Sequence, residues 1–353
     1  MKSATLEKLL PTIKAAINNN ADAAEQVKLQ SMDGDASTRR YFRIKINDRS
    51  YIVMYLPEDV HKSDEITKTG IDGELPFLQV ASFLAKGGIK VPDILLSRVD
   101  ERILILEDLG DDTFEKLLKK GVEKSGLYKS AILEMVRMHK WAFENPDPDC
   151  VCFNRSFDKN LLTWECEHFM EWGIEALTGI PLSWAETARL NKMFTLIVNH
   201  LTSVSQGFVH RDYQSRNLMR HDNKIAVIDF QDALIGPYVY DITALLRDSY
   251  VLFDDRETTF YLSYFYKLRR DAGLPMESNE AFLKTFHFQT IQRKLKDAGR
   301  FVFIDRKKGN PKFLANIPRS LKYALNSMKR FPEFDDTRRL IEDRLADFIT
   351  DKQ

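Results

Sequence analysis

The stretch GFVHRDYQSRNLMRHDNKIAVIDFQDA, residues 207–233, sets four aspartates and Asn217 among short apolar runs. Carboxylates in such surroundings are costly unless a cation sits between them. VHRD ends a short strand. LMR (218–220) and IAVIDF (225–230) read as two further strands on either side of the turn HDNK, so the chain folds back on itself. That reversal brings Asn217 and Asp229 to one end of a hairpin, with Asp212 on the loop before it. Phosphoryl transfer needs such a set. One carboxylate takes or orients the proton of the attacking hydroxyl, while a second carboxylate and an amide oxygen hold Mg²⁺ on the phosphates of ATP.

Working outward, YFRIKI (41–46) and SYIVMYL (50–56) predict a hairpin turning at Asn47 and Asp48. LPFLQVASFLAKGG (75–88) has helical apolar spacing and ends on glycines, as a helix C-terminus does. RILILEDLGD (102–111) runs from a continuous apolar strand into an acidic segment. Helical periodicity then takes over, at 125–144 and near 160–177, 185–203, 241–252 and 280–300. The expected fold is α+β and two-lobed. It has a strand-rich lobe over 1–106, a hinge at 107–111 and a helical lobe over 112–353 carrying the catalytic and metal loops and the acceptor site.

Composition narrows the function. With 353 residues the chain can bury a substantial core. Lysine plus arginine equals aspartate plus glutamate at 52 each, which gives no reason to expect nucleic acid or an anionic membrane as partner. Cys150, Cys152 and Cys166 lack zinc-knuckle spacing and read as reduced thiols. No apolar run approaches a membrane span and the first twenty residues lack a secretory core, so a soluble cytoplasmic protein is expected. The oligomeric state is not readable.

H-R-D-x-x-x-x-N followed twelve residues later by D-F is the spacing of kinase catalytic and metal loops. A protein kinase would carry an activation segment and an A-P-E signature after it. Here GPYVYDITALLRD follows almost at once and A-P-E is absent, so a small-molecule hydroxyl is the expected acceptor. HRDYQSRNLM, VIDFQDALIGPYVYDITALLRD, GDASTRRYFRI and LEDLGD together resemble the aminoglycoside-phosphotransferase-like superfamily. Within it, with QRKLKDAGRF…FLANIPRSLKYAL, they are most similar to the bacterial anomeric kinases of N-acetylmuramate and N-acetylglucosamine that serve peptidoglycan recycling. That resemblance implies Asp212 as catalytic base and Asn217 and Asp229 as metal ligands. It makes 34–44 a loop over the nucleotide phosphates, offering Ser37, Thr38, Arg40 and Arg43, and LEDLG a hinge whose backbone at Glu107 and Leu109 meets the adenine. Asp241 either braces the catalytic loop or caps its own helix. His210 supports the loop, and His139 reads as a core histidine. Asp232 is a sugar- or metal-facing carboxylate or a solvated one. Arg293, Lys296 and Arg300 share a helix face, which is either a solvated basic face or, at Arg293, a contact for the lactyl carboxylate of N-acetylmuramate.

One departure stands out. The superfamily's phosphate-binding strand lysine is replaced by Met54, and the helix at 75–86 offers no glutamate to pair with it. Losing both partners together is electrostatically consistent. Either an arginine of STRRYFR supplies the charge or the chain is a nucleotide-binding pseudokinase; other acceptors, such as an aminoglycoside or choline, remain open.

Overall fold

The computed structural model describes residues 27–32, 39–46, 49–56 and 75–349. The expected turn at Asn47 and Asp48, the first twenty residues, and Ser37 and Thr38 lie outside these.

Five strands form one antiparallel sheet in the order β1-β2-β3-β5-β4: β1 (Val27–Met32), β2 (Arg40–Ile46), β3 (Arg49–Tyr55), β4 (Ile94–Arg98) and β5 (Ile103–Glu107). β2 and β3 are the expected hairpin, with Tyr41 opposite Met54 and Arg43 opposite Ile52. Alternation places Phe42, Ile44 and Ile46 on one face of β2, where they pack with Val53, Ile103 and Ile105. Tyr41, Arg43 and Lys45 take the other face. Helix α1 (Pro76–Lys86) ends where Gly88 turns left-handed, at φ 70°. The described chain divides into two compact units, and the division crosses α1. Its residues through Leu78, with β1–β5 and the segment to Gly110, belong to the first; Gln79–Lys90 and everything from Asp111 belong to the second.

The second unit is helical. It contains α2 (Phe114–Lys119), α3 (Lys124–Glu144), α4 (Lys159–His168), α5 (Trp184–Ser203), α6 (Tyr240–Leu246), α7 (Asp255–Asp271), α8 (Asn279–Lys308), α9 (Ile317–Met328) and α10 (Asp335–Arg344). Two small antiparallel pairs are set among them, β6 (Gln206–Val209) with β9 (Leu234–Pro237) and β7 (Leu218–His221) with β8 (Lys224–Val227). Ser183 and Glu186 close a capping box at the start of α5, and Asp254 and Glu257 do so for α7. The thirty-residue α8 runs through the main apolar core, burying Phe288, Ile291, Leu295, Ala298 and Val302 with residues of α4, α5 and α9.

Three sequence expectations shift. The helix expected near 160–177 is α-helical only to His168, and Phe169–Ala176 is a π-helix. Two glycines meet there. A Cβ on Gly299 would stand 2.9 Å from the His168 carbonyl oxygen, and one on Gly173 3.3 Å from the Gly299 nitrogen. The helix expected over 241–252 stops at Leu246. The strand expected over 225–230 stops at Val227, because Asp229 adopts a left-handed backbone at φ 64°.

Candidate active site

The hairpin β7–β8 turns at Asp222 and Asn223, both with positive φ, the conformation of a tight two-residue hairpin turn. Its open end gathers the candidate residues. The Asn217 carbonyl accepts the Ile228 amide at 3.0 Å, tying the segment before β7 to the one after β8. Asn217 Nδ2 donates to the Asp212 carbonyl oxygen at 2.9 Å and to Asp229 Oδ2 at 3.3 Å. With its amide nitrogen so used, Asn217 Oδ1 is left as an acceptor without a hydrogen bond among the described residues. Gln231 Nε2 holds Asp229 Oδ1 at 2.8 Å. The three residues singled out in the sequence therefore converge.

Asp229 keeps accessible surface while protein atoms crowd around it. That crowding, and next the negative charge of Asp212, raise its carboxyl pKa above the ordinary value. A cation placed there relieves both effects. An accessible carboxylate beside an unused amide oxygen is a donor set of the hard-oxygen kind that Mg²⁺ accepts when phosphate oxygens complete the shell. No larger His, Cys, Asp and Glu cluster capable of holding a metal occurs among the described residues.

The loop carrying Asp212 is fixed from below. Asp241, fully buried at the start of α6, accepts the His210 amide at 2.8 Å and the Arg211 amide at 3.0 Å. Its carboxylate does not cap its own helix. His139 reaches Asp241 Oδ2 through Nε2 at 3.1 Å and faces Arg269 Nη1 through Nδ1 at 3.0 Å. Arginine only donates, so Nδ1 accepts and the Nε2 proton goes to Asp241. Burial pushes the His139 pKa down, which suits this neutral form. In His210, Nδ1 accepts the Asp212 amide at 3.2 Å and Nε2 donates to the Ile228 carbonyl at 3.1 Å. Arg211 between them has φ 77°, strained for a residue with a side chain. Asp248 takes the Ser215 amide at 2.9 Å and so pins the far side of the loop.

The basic face expected at Arg293 and Lys296 is not solvated: both residues are buried. Arg293 Nη1 donates to the Arg211 carbonyl at 2.8 Å, Nη2 lies 3.3 Å from Asp212 Oδ1, and the guanidinium stacks over the Tyr240 ring at 4.9 Å. These contacts occupy it, so a lactyl carboxylate is no longer its expected partner. Asp232 is half-buried, with Oδ2 3.4 Å from Gln231 Nε2.

In the first unit, Arg43 shares the face of Met54 and Arg40 takes the opposite one. Arg43 is committed elsewhere. Its Nε lies 2.6 Å from Asp108 Oδ2, and Nη2 donates to Asp108 Oδ1 at 2.9 Å and to the Gly110 carbonyl at 3.0 Å. Ser50 Oγ adds a bond to Asp108 at 2.5 Å. Burial alone would raise the Asp108 carboxyl pKa; Arg43, Ser50 and the Gly110 amide outweigh it and hold it low. Register also separates Arg43 from Met54, whose cross-strand neighbours are Tyr41 and Leu104. The expectation that Arg43 replaces the strand lysine gives way to an ion pair with Asp108. Arg40 is exposed at the mouth of β2. The Glu107 amide is spent on the Asp93 carbonyl, and Leu109 is buried.

Sequence reading missed Gln231, Asp108, Asp248 and Glu165. Gln231 stands two residues from Asp229 inside the quoted stretch. Glu165 pairs with Arg211 at 3.5 Å and with Gln292 at 2.6 Å, across separations that no local pattern encodes.

An antiparallel sheet unit, a helical unit and a loop–hairpin that gathers an aspartate, an asparagine and a second aspartate are the parts of a kinase-like phosphotransferase. The chain belongs to the phosphotransferase enzyme family, whose model matches residues 28–273. It is 33% identical over 311 residues to the N-acetylmuramate/N-acetylglucosamine kinase of Pseudomonas aeruginosa PAO1, covering 87% of this chain and 86% of that protein. It is 30% identical to the protein of the same name from Neisseria meningitidis serogroup B, covering 89% of each. Among solved structures, the gentamicin complex of APH(2″)-IIa matches with TM-score 0.57 at 15% identity, covering 89% of this chain and 95% of that one. Amicoumacin kinase hAmiN bound to AMP-PNP, Ca²⁺ and Ami matches with TM-score 0.59 at 15% identity, covering 96% and 98%. The fold is that of the aminoglycoside kinases, and the chain is an ATP-dependent small-molecule kinase. No helix among the described residues is long and apolar enough to cross a membrane.

Proposed function

We propose that this kinase phosphorylates the anomeric hydroxyl of N-acetylmuramate and N-acetylglucosamine, using Mg-ATP in the cytoplasm, in peptidoglycan recycling. The observation that carries the reading is the 33% identity, spread over 87% of the chain, to a kinase named for those two sugars. Asp212 is the group that takes the acceptor proton. Its side chain is 38% exposed, so a sugar hydroxyl can reach it, while the bonds to its backbone fix where the carboxylate points. Asn217 Oδ1 and Asp229 would hold Mg²⁺, which supplies charge neutralisation on the transferring phosphoryl group. Gln231 keeps the Asp229 carboxylate oriented for that task. With Arg43 engaged by Asp108, Arg40 at the mouth of β2 is the first candidate for a phosphate contact from STRRYFR and Arg39 the weaker one.

The test is ADP release from Mg-ATP with N-acetylmuramate, N-acetylglucosamine, kanamycin and choline, with the phosphorylated position assigned by phosphorus–proton NMR. The expected result is turnover with both amino sugars and an anomeric phosphate. Turnover confined to kanamycin or choline, or a phosphate at another hydroxyl, would replace this reading.

A further inference from the structure

The family match ends at residue 273, yet the Asp212 loop is gripped by a side chain from beyond it. We infer that Arg293 of α8 is a positioning residue for the Asp212 carboxylate, supplied by the part of the chain outside the matched family region. The inference rests on the reading of Asp212 as the proton acceptor.

The peptides of the loop are held from two sides. Asp241 takes the amides of His210 and Arg211, and Arg293 takes the carbonyl oxygen of Arg211. With its amide and carbonyl both bonded, the positive-φ conformation of Arg211 is over-determined, which is what such a backbone needs in order to persist. That conformation sets the direction in which the next residue leaves the loop. The second nitrogen of the same guanidinium lies 3.3 Å from Asp212 Oδ1. One planar group thus fixes a backbone atom and a carboxylate oxygen together, which a lysine cannot reproduce.

The guanidinium is itself locked. Arg293 is 2% exposed and stacks on Tyr240, which stacks on Phe157 at 4.5 Å. Asp212 is reachable from solvent while its anchor is not. Because Nη2 engages only Oδ1, Oδ2 is left to meet a hydroxyl. A proton acceptor held within a narrow angular range of its target works faster than a mobile one, and small misplacements cost large factors.

The experiment compares Arg293→Ala, Arg293→Lys, Asp212→Asn and the double variant Arg293→Ala/Asp212→Asn. Turnover is measured with Mg-ATP and N-acetylglucosamine, together with KM for both substrates, Mg-ATP affinity by calorimetry and the melting temperature. Arg293→Ala should lower kcat about 10²-fold and leave both KM values and the Mg-ATP affinity within a few-fold. Guanidinium ion at tens of millimolar should restore part of the lost rate. Adding Arg293→Ala to Asp212→Asn should cost little more, since its effect runs through that carboxylate. Arg293→Lys, which keeps the charge and serves as the variant if alanine does not fold, should fall between wild type and alanine. The inference is overturned if a folded Arg293 variant keeps wild-type kcat, if its loss appears in KM alone, or if it multiplies fully with Asp212→Asn. Normal turnover in Asp212→Asn would overturn the reading of the base as well; a slow Asp212→Asn beside an unaffected Arg293→Ala would sink only this inference.

Discussion

The two units treat charge in opposite ways. In the helical unit the charged groups that brace the Asp212 loop are buried and matched: Asp241 to two amides and His139, Arg293 to Asp212 and a carbonyl, Asp248 to the Ser215 amide. In the sheet unit, Met54, the position at which the resemblance leads one to expect a lysine, is fully buried between Tyr41 and Leu104. The arginine on that face has turned to Asp108. The loop proposed to hold the proton acceptor is therefore bonded from several sides, while the arginine on the face of Met54 is bonded to Asp108. A proton acceptor tolerates little displacement, whereas phosphate charge can be met by cations from several directions.

Four changes would break or sharpen this contrast. The largest effect is expected for Asp212→Asn, with turnover down at least ~10²-fold and Mg-ATP affinity largely kept; near-normal turnover would remove the functional half of the comparison. Asp241→Ala comes next. It leaves two buried amides and His139 without their acceptor, at a cost of about 3–5 kcal/mol in denaturant unfolding. A loss below ~1 kcal/mol would mean that the loop is held without it.

Met54→Lys puts a charge opposite an aromatic ring and a leucine. A loss of roughly 1–3 kcal/mol is expected, with no gain in kcat. Faster turnover would show that the sheet unit still has room for the missing lysine. The smallest effect concerns His287, which is half-buried on α8 with Nδ1 3.2 Å from Ser327 Oγ. Burial first, then Arg330 and Arg247, push its pKa down to about 3. Because the unfolded chain protonates near ~6.5 and the folded one does not, stability should fall as pH drops below that value and stop falling near pH 3. Between pH 7.5 and 5.5 this amounts to about 1 kcal/mol, and His287→Gln should flatten the slope. An unchanged slope would place the proton-sensitive group elsewhere.

Much of this was legible in the sequence where the determinants are local. The β2–β3 hairpin follows from alternation in YFRIKI and SYIVMYL, and α1 from apolar spacing closed by Gly88. The gathering of Asp212, Asn217 and Asp229 follows from one hairpin within twenty residues. What escaped is long-range or conformational. Arg293 lies 81 residues from Asp212, and nothing near it in the sequence distinguishes a buried anchor from a solvated arginine. The face of Arg43 could be read only once its register against Met54 was known. The π-helix after His168 packs against Gly299, which arrives from another helix. The left-handed backbone of Asp229 ends its strand three residues early, which the side-chain pattern does not report.

The thirty residues of α8 also bear on where this protein can be cut. Residues 28–273 span the match to the family and hold Asp212, Asn217 and Asp229. A fragment ending there would lack Arg293, and it would strip Phe288, Ile291, Leu295, Ala298 and Val302 from the core they share with α4 and α5. A frameshift or nonsense change as late as residue 278 should therefore behave as a null allele, although Asp212, Asn217 and Asp229 are untouched. Truncation libraries should show a sharp loss of soluble product on passing back through α8, well before the recognised motifs are reached.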